Sequence, residues 1–531
     1  MYLLSLPRSF AALLLVVSSS TTAAPPVGFA QRAESVRKQI GTPGMAIAIV
    51  EHGKTTFARG FGVRRLGETA LVDADTLFPI GSTTKAITVA ALATLVDERK
   101  LHWDDRVTEH LPGFQMYDSW VTREITIRDL LSHRSGLGLG AGDLLFVPRS
   151  NVSRPETVRR IRYLKPATSF RSSYGYSNLM YVVAGQLLEN VSGQRWEDYV
   201  RAKVLQPAGM IVSTTDNADN FATANRAFPH ARMGGGDRGG IRGAGVQVGL
   251  DERDDLGRNA APAGGIASSA NDLARWLQVQ LGAGSTIDGK RIFSAATHAE
   301  MWTPTTAIPI PAVPSDLNET QPKFSAYGLG WNVVDYRGAR MIWHGGAVFG
   351  FKTAVVILPD NKVGFAISIN SEDGELVRGL LYELADHYLG ARRRDWPARF
   401  ETHKKTEVQK AHAALKARHN ASTPTGALVP ANNLVGTYAD PWYGNIEITS
   451  ASQGLRIDFK STPRMAGKLD HWEYSTWITH FDDPALEPAY LSFGFDKDGK
   501  VDRITLKPVS PIADFSWDYA DLEFTPIKKS K

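Results

Sequence analysis

Past Pro424 the chain changes texture. Short runs rich in Tyr, Trp, Phe, Ile and Val recur between Gly and Asp turns as far as Phe524. That is the pattern of a small all-β domain of about 100 residues. Residues 392–424, just ahead of it, are strongly charged and helix-favouring but carry no persistent apolar stripe, so they read as a connecting helix or linker. The chain therefore divides into a large unit at 31–391, the connector, and a β unit at 425–531. Neither unit can be stapled by disulfides or thiolate-bound zinc, because none of the 531 residues is cysteine. Both must rest on apolar cores, for which 43% hydrophobic and 22% charged residues are the ordinary globular balance. A net charge of +5 spread over this length gives no clustered surface for nucleic acid.

The amino terminus reads as a secretory signal within residues 1–30. Arg8 precedes the apolar run Phe10–Val17, and small residues follow from Ser18 to Ala24. Cleavage is expected after Ala23, Ala24 or Ala30. The run is shorter than the roughly 20 residues that span a bilayer, and no later stretch is long and apolar enough. The expectation is a periplasmic or secreted protein without a membrane span.

Within the large unit, residues 44–50 read as a buried strand, with a hairpin partner at 55–60. Helical periodicity runs from Thr83 to Arg99, over 126–131 with Thr126 near the cap, from Leu179 to Leu188 and from Asn271 to Leu281. Residues 232–258, rich in Gly and charge, read as a surface loop or flap, and Pro304–Pro322 as a loop. Strands are expected at 329–334, 353–358 and 363–370, followed by a helix at 375–388.

Three short motifs could carry chemistry. In Gly81-Ser82-Thr83-Thr84-Lys85, helical spacing puts Ser82 and Lys85 on one face. An amine beside a serine hydroxyl eases loss of its proton. Ser35-Val36-Arg37-Lys38 repeats the spacing, but on a charged, solvated stretch, and is read as chance. Tyr176-Ser177-Asn178 closes a Ser/Gly/Tyr loop just before an apolar helix, which could aim a phenol and an amide into a cleft. A phenol near cations would have a depressed pKa and could shuttle a proton. In Trp343-His344-Gly345-Gly346-Ala347, two successive glycines in a strand suggest close approach of backbone or ligand. There is no His-Glu-x-x-His, P-loop, dinucleotide fingerprint or Gly-x-Ser-x-Gly, so no metal and no cofactor is expected.

The order and spacing of the three motifs resemble those of the serine β-lactamase and penicillin-binding-protein superfamily, in its class C-like branch. That branch also holds D-aminopeptidases, D,D-carboxypeptidases and esterases. The resemblance covers about residues 30–390. It extends to Pro43-Gly44-Met45-Ala46, Phe78–Ser82, Leu130–Leu137, Pro262-Ala263-Gly264-Gly265-Ile266 and Tyr327-Gly328-Leu329-Gly330-Trp331. It implies a mixed α/β (α+β) fold, with an antiparallel sheet flanked by helices plus a helical subdomain. The β unit is similar to the lipocalin-like barrels appended to some of these peptidases, through Gly436-Thr437-Tyr438, Leu469–Trp472 and Phe495–Gly499, with its aromatics read as core.

The resemblance also implies roles. Ser82 is the nucleophile, and Lys85 and Tyr176 handle its proton. The backbone N–H groups of Ser82 and Ala347 form the oxyanion hole. Asn178, His344, Gly345 and Gly346 bind substrate. The third motif departs from the Lys-Thr-Gly of true β-lactamases, and its His-x-Gly form is similar to the peptidase and amidase side. The expected substrate is a small peptide or ester. The expected activity is amide cleavage, with linear or D-amino-acid-containing peptides such as linearised microcystin in view. Carboxylesterase and slow penicillin-binding activity are the alternatives. All assigned residues lie before residue 390, so the barrel supplies neither nucleophile nor base, and a chain cut near Ala421 should still cleave small esters.

Overall fold

In the computed structural model, residues 24–234, 243–252, 256–422, 425–452 and 454–527 are described. Residues 1–23 of the expected signal segment lie outside them, as does part of the expected flap. Strand β1 (Gly44–Glu51) is buried along its whole length. Its alternation sends Met45, Ile47 and Ile49 into one apolar cluster and Ala46, Ala48 and Val50 into another. That is why an uninterrupted apolar run marks a strand covered on both faces. Around it an eight-stranded antiparallel sheet forms. Its other strands are β2 (Lys54–Gly62), β3 (Thr306–Ala307), β4 (Ser325–Tyr327), β5 (Asn332–Tyr336), β6 (Ala339–Val348), β7 (Phe351–Leu358) and β8 (Val363–Ile369), in the order β2-β1-β8-β7-β6-β5-β4-β3.

Helices α1 (Phe29–Ile40) and α6 (Gly374–Tyr388) pack on one face, and α5 (Ala270–Leu281) on the other. Phe29 is buried against Phe57, so cleavage after Ala30 would remove a core side chain. The helical region holds α2 (Thr84–Asp97), α3 (Ile127–Leu131) and α4 (Asn178–Ser192). Helix α2 is buried on every side from Thr84 to Leu95, as befits a helix that is apolar all round. Thr126 caps α3 through a capping box with Asp129. The expected flap is partly a hairpin, pairing 230–234 with 245–249. The Pro-rich loop at 304–322 contributes β3 and a short 3₁₀ turn.

The charged connector is helix α7 (Trp396–Ala421). Its first turn is not solvated: Trp396 and Phe400 are buried against Tyr382, and Trp396 Nε1 donates to Asp386 at 2.8 Å. After it come eight strands closed into a barrel in sequence order. They are β9 (Gly436–Asp440), β10 (Gly444–Ala451), β11 (Gly454–Phe459), β12 (Ala466–Glu473), β13 (Thr476–Phe481), β14 (Ala489–Phe495), β15 (Val501–Pro508) and β16 (Glu523–Pro526). Alternate residues such as Ile446, Ile457, Phe459, Phe481, Leu491 and Phe524 are buried and fill the interior, as eight strands allow. The barrel packs on the large unit. Arg160 donates to the Trp442 and Tyr443 carbonyls at 3.2 and 3.0 Å, and Asn151 N–H to Ser461 O at 2.9 Å. No described helix is long and apolar enough to cross a membrane.

Candidate active site

Ser82 sits in the 3₁₀ turn Gly81–Thr83 that feeds α2. Gly81 has φ +52°, and a Cβ on it would stand 2.6 Å from the Ala347 nitrogen, so this turn and β6 run in backbone contact. A Cβ on Gly346 would fall 1.9 Å from the Ile80 carbonyl oxygen. The second glycine of the His-Gly-Gly motif is therefore there for close backbone approach. A Cβ on Gly345 would meet only ordinary contacts, the nearest being the Trp343 ring at 3.5 Å. The result brings the backbone nitrogen of exposed Ala347 beside the partly exposed Ser82.

Lys85, one helical turn on, is fully buried. Its Nζ lies 3.0 Å from Ser82 Oγ, 2.6 Å from Asn178 Oδ1 and 2.9 Å from the Ala263 carbonyl. Two of these partners only accept, whereas the hydroxyl can also donate. A neutral amine would spend its two N–H bonds on Asn178 and Ala263 and turn its lone pair to Ser82. Burial supplies that state: it brings the Lys85 ammonium down to about 7, partly opposed by the Asp143 charge. The Pro262–Ile266 segment clasps the same helix, with Thr88 donating to Pro262 O at 2.8 Å.

Tyr176 lies over this amine, its ring centroid 4.7 Å from Nζ, and its phenol meets the Ser82 hydroxyl. The expected depression of its pKa is reversed. Burial pushes the phenol well above its ordinary value, with only the Ser82 contact working the other way. Tyr176 is thus a neutral hydroxyl that can pass a proton on, and Lys85 is the better acceptor.

Asn178 opens α4, where Ser177 caps the helix by accepting from Met180 N–H. Its Oδ1 faces Lys85, and its Nδ2 donates to Asp143 Oδ2 at 2.8 Å. His344, expected to bind substrate, is buried. Nδ1 reaches the Gly345 carbonyl at 2.6 Å, so it carries the proton, and Nε2 accepts from Tyr327 O–H at 2.7 Å. Burial and the nearby Lys85 hold the imidazole at about 3, so it is neutral. With both nitrogens used inside the protein, it steadies β6 instead of offering a hydrogen bond to a ligand.

Ser82, Lys85, Tyr176, Asn178, Gly346 and Ala347 thus converge. The second Ser-x-x-Lys does not join them: Ser35 and Lys38 are exposed on α1. Sequence reasoning missed Asp143, fully buried behind Asn178, and the barrel residues around it. Ser516 donates to Asp143 Oδ2 at 2.8 Å, and Phe515 stands edge-on to Tyr176 with centroids 5.7 Å apart. No local pattern marks either residue, since their partners are distant in sequence. Asp105, Glu109 and His110 bring ligand atoms within 4.8 Å of one another, a grouping the spacing did not suggest. Asp105 and His110 already pair there at 2.8 Å.

The Beta-lactamase family model matches residues 29–389, and that of a domain of unknown function (DUF3471) matches residues 420–526. The unguisins hydrolase ungD' of Aspergillus campestris is 30% identical over 447 residues, covering 79% of this chain and 77% of that protein. Penicillin-binding protein 4 of Amycolatopsis lactamdurans is 29% identical over 368 residues, covering 67% and 89%. The octameric penicillin-binding protein homologue from Pyrococcus abyssi has a TM-score of 0.57 at 20% identity, over 91% of this chain and 98% of that one, and so shares the fold. The chain belongs to the β-lactamase and penicillin-binding-protein-like superfamily of serine hydrolases.

Proposed function

We propose that this protein is an exported peptidase or amidase that works through an acyl-enzyme on Ser82. The observation that carries the reading is the buried Lys85 amine, 3.0 Å from Ser82 Oγ and bound by two acceptors that leave its lone pair for the hydroxyl. Ser82 Oγ attacks the substrate carbonyl carbon while Lys85 takes the hydroxyl proton. The negative charge that develops on the carbonyl oxygen is met by the Ser82 and Ala347 N–H groups. Collapse breaks the C–N bond, and the proton travels through Tyr176 to the departing nitrogen. Water then attacks the acyl ester, gives up a proton by the same route, and frees Ser82. Asn178 orients Lys85 and the substrate amide.

We infer small linear or D-amino-acid-containing peptides as substrates, linearised microcystin among them. The departure from Lys-Thr-Gly at His344-Gly345-Gly346 supports this reading, because the lysine that would hold a β-lactam carboxylate is missing. Relatives named as hydrolases support the reaction class. The signal-like residues 1–24 support export to the periplasm or beyond, and we read the barrel as lipocalin-like in architecture with a packed interior.

The test is a panel of linear peptides, D-amino-acid amides, p-nitrophenyl esters and a chromogenic cephalosporin, applied to the wild type and to Ser82→Ala. Ser82→Ala should lose roughly 10³-fold or more of turnover. Peptides or amides should exceed the cephalosporin in kcat/KM. Retained turnover in Ser82→Ala refutes the mechanism. Efficient cephalosporin hydrolysis, at about 10⁶ M⁻¹s⁻¹ or above, refutes the substrate class. A stable penicillin adduct without peptide cleavage would point to a penicillin-binding protein.

A further inference from the structure

The barrel returns to the site of the large unit through the segment between β15 and β16. Two aromatic residues seat that segment: Phe515 against Tyr176, and Trp517 against Phe349, with ring centroids 5.7 and 6.0 Å apart. Between them stands buried Ser516, its backbone N–H bonded to Asp514 Oδ1 at 3.0 Å. Its hydroxyl points inward to Asp143. From there an unbroken chain of side-chain hydrogen bonds runs to the nucleophile. Ser516 Oγ and Asn178 Nδ2 both donate to Asp143 Oδ2 at 2.8 Å, Asn178 Oδ1 accepts from Lys85 at 2.6 Å, and Lys85 meets Ser82 at 3.0 Å.

We propose that Ser516 is a positioning residue for the Ser82 site, contributed by the barrel: by donating to Asp143 it holds that carboxyl in its charged form, and so governs the pH at which Lys85 becomes a base. The inference rests on the reading of Ser82 as nucleophile and Lys85 as base.

Asp143 is a carboxyl whose ionisation depends on few contacts. Oδ1 is buried without a hydrogen-bond partner, so both donors converge on Oδ2. Burial raises its pKa to about 7, and the Ser516 and Asn178 hydrogen bonds and the Lys85 charge work against that rise. Asp514 adds a like charge that opposes ionisation. Asp518, from the same segment, is itself pushed up to about 8 by burial and by Asp521, whose Oδ2 accepts from Gly142 N–H. The Asp143 charge also acts on the phenol of Tyr176, adding to the rise that burial causes there. Around Lys85 stand His133 and His344, both held neutral by burial, and the rings of Tyr176 and Tyr181. Among these groups Asp143 is the one whose charge favours the Lys85 ammonium. Deleting the Ser516 hydroxyl should favour neutral Asp143, weaken the hold on the ammonium, and free the amine at lower pH.

The test is the pH dependence of kcat/KM for p-nitrophenyl acetate, which reports groups of the free enzyme. For slow variants, the rate at which a fluorophosphonate labels Ser82, followed by intact mass, replaces turnover. The acid limb should move down by about half a unit in Ser516→Ala and by about one unit in Asp143→Asn. The double variant should move no further than Asp143→Asn, because Ser516 acts through that charge. Ser516→Thr, which keeps the hydroxyl, should restore the wild-type limb. A loss of rate in Ser516→Ala with an unmoved limb would make Ser516 a mere wall of the cleft and overturn the proposal. So would a limb that moves up, or a second full shift in the double variant. Should Ser516→Ala fail to fold, an unmoved limb in Asp143→Asn overturns it instead. If Ser82→Ala stays active, the nucleophile reading itself falls. If Ser82→Ala is dead and Ser516→Ala keeps the wild-type limb, the relay alone falls.

Discussion

Gly346→Ala should damage catalysis and stability together. The new methyl would stand 1.9 Å from the Ile80 carbonyl oxygen, where a relaxed C···O contact needs about 3.3 Å. Relief therefore requires roughly 1.4 Å of backbone movement between β6 and the turn that seats Ser82. That carbonyl is no loose end: it accepts from Thr83 Oγ1 at 2.9 Å and from the Thr83 N–H, closing the turn that contains Ser82. Pushing it away separates the Ser82 and Ala347 nitrogens, which in the proposed mechanism address one oxygen. A misplacement of about 1 Å costs about 10²-fold in rate, and overpacking about 1–3 kcal/mol in stability. The assay is kcat on a p-nitrophenyl ester beside urea unfolding. Gly345→Ala is the control, since its methyl meets the Trp343 ring at an ordinary 3.5 Å and should cost less than about 0.5 kcal/mol. The reasoning is refuted if Gly346→Ala matches the wild type in both measurements, or if Gly345→Ala proves the more damaging.

Asp129 is fully buried between Arg134 and Arg171 and also accepts from the Thr126 N–H. Although burial opposes it, these partners hold its carboxyl below the ordinary value. Its contribution is thus complete above the unfolded pKa of about 3.9 and is lost as pH falls through the lowered folded value. Asp129→Ala should cost about 3–5 kcal/mol at neutral pH, and the gap in urea midpoint from the wild type should shrink toward pH 3; a gap that does not change with pH counts against the ion pairs. A chain ending at Ala421 loses Phe515, which packs on Tyr176, and Ser516, which donates to Asp143; small esters should still be cleaved, as the sequence predicts, but with the acid limb moved down as in Ser516→Ala. A folded, monodisperse truncation with wild-type turnover and pH profile would show that the barrel does not serve the site.

What was legible in the sequence was whatever the chain encodes over short distances. The two-faced burial of β1, the cap at Thr126 and the helix after Asn178 follow from runs of five to fifteen residues. The closure of the barrel accords with the turn-punctuated aromatic runs. Ser82 and Lys85 were visible because one helical turn joins them. Asp143 and Ser516 were not, because their significance lies in a contact between units that no periodicity announces. The anchored start of α7 was hidden for a related reason: Trp396 and Phe400 form an apolar pair too short to register as a stripe in a charged helix. The Tyr176 phenol shifts up where the sequence predicts down, because nearby cations are visible in a sequence and complete burial of a phenol is not.

The bond between Ser516 and Asp143 joins residues 373 positions apart, whereas Lys85 and Asn178 are separated by 93. Closing a flexible loop costs about 0.6 kcal/mol more for each doubling of its length, so this fourfold difference adds about 1.2 kcal/mol against early formation of the barrel contact. Domains also tend to fold as units, beginning with the one synthesised first. A newly made chain therefore passes through a stage in which the large unit is packed around Ser82 and Lys85 while Asp143 still lacks its hydroxyl donor. Maturation is then a docking event, and on the reading proposed above the pH response of Lys85 is set only once the segment ahead of the last barrel strand is in place.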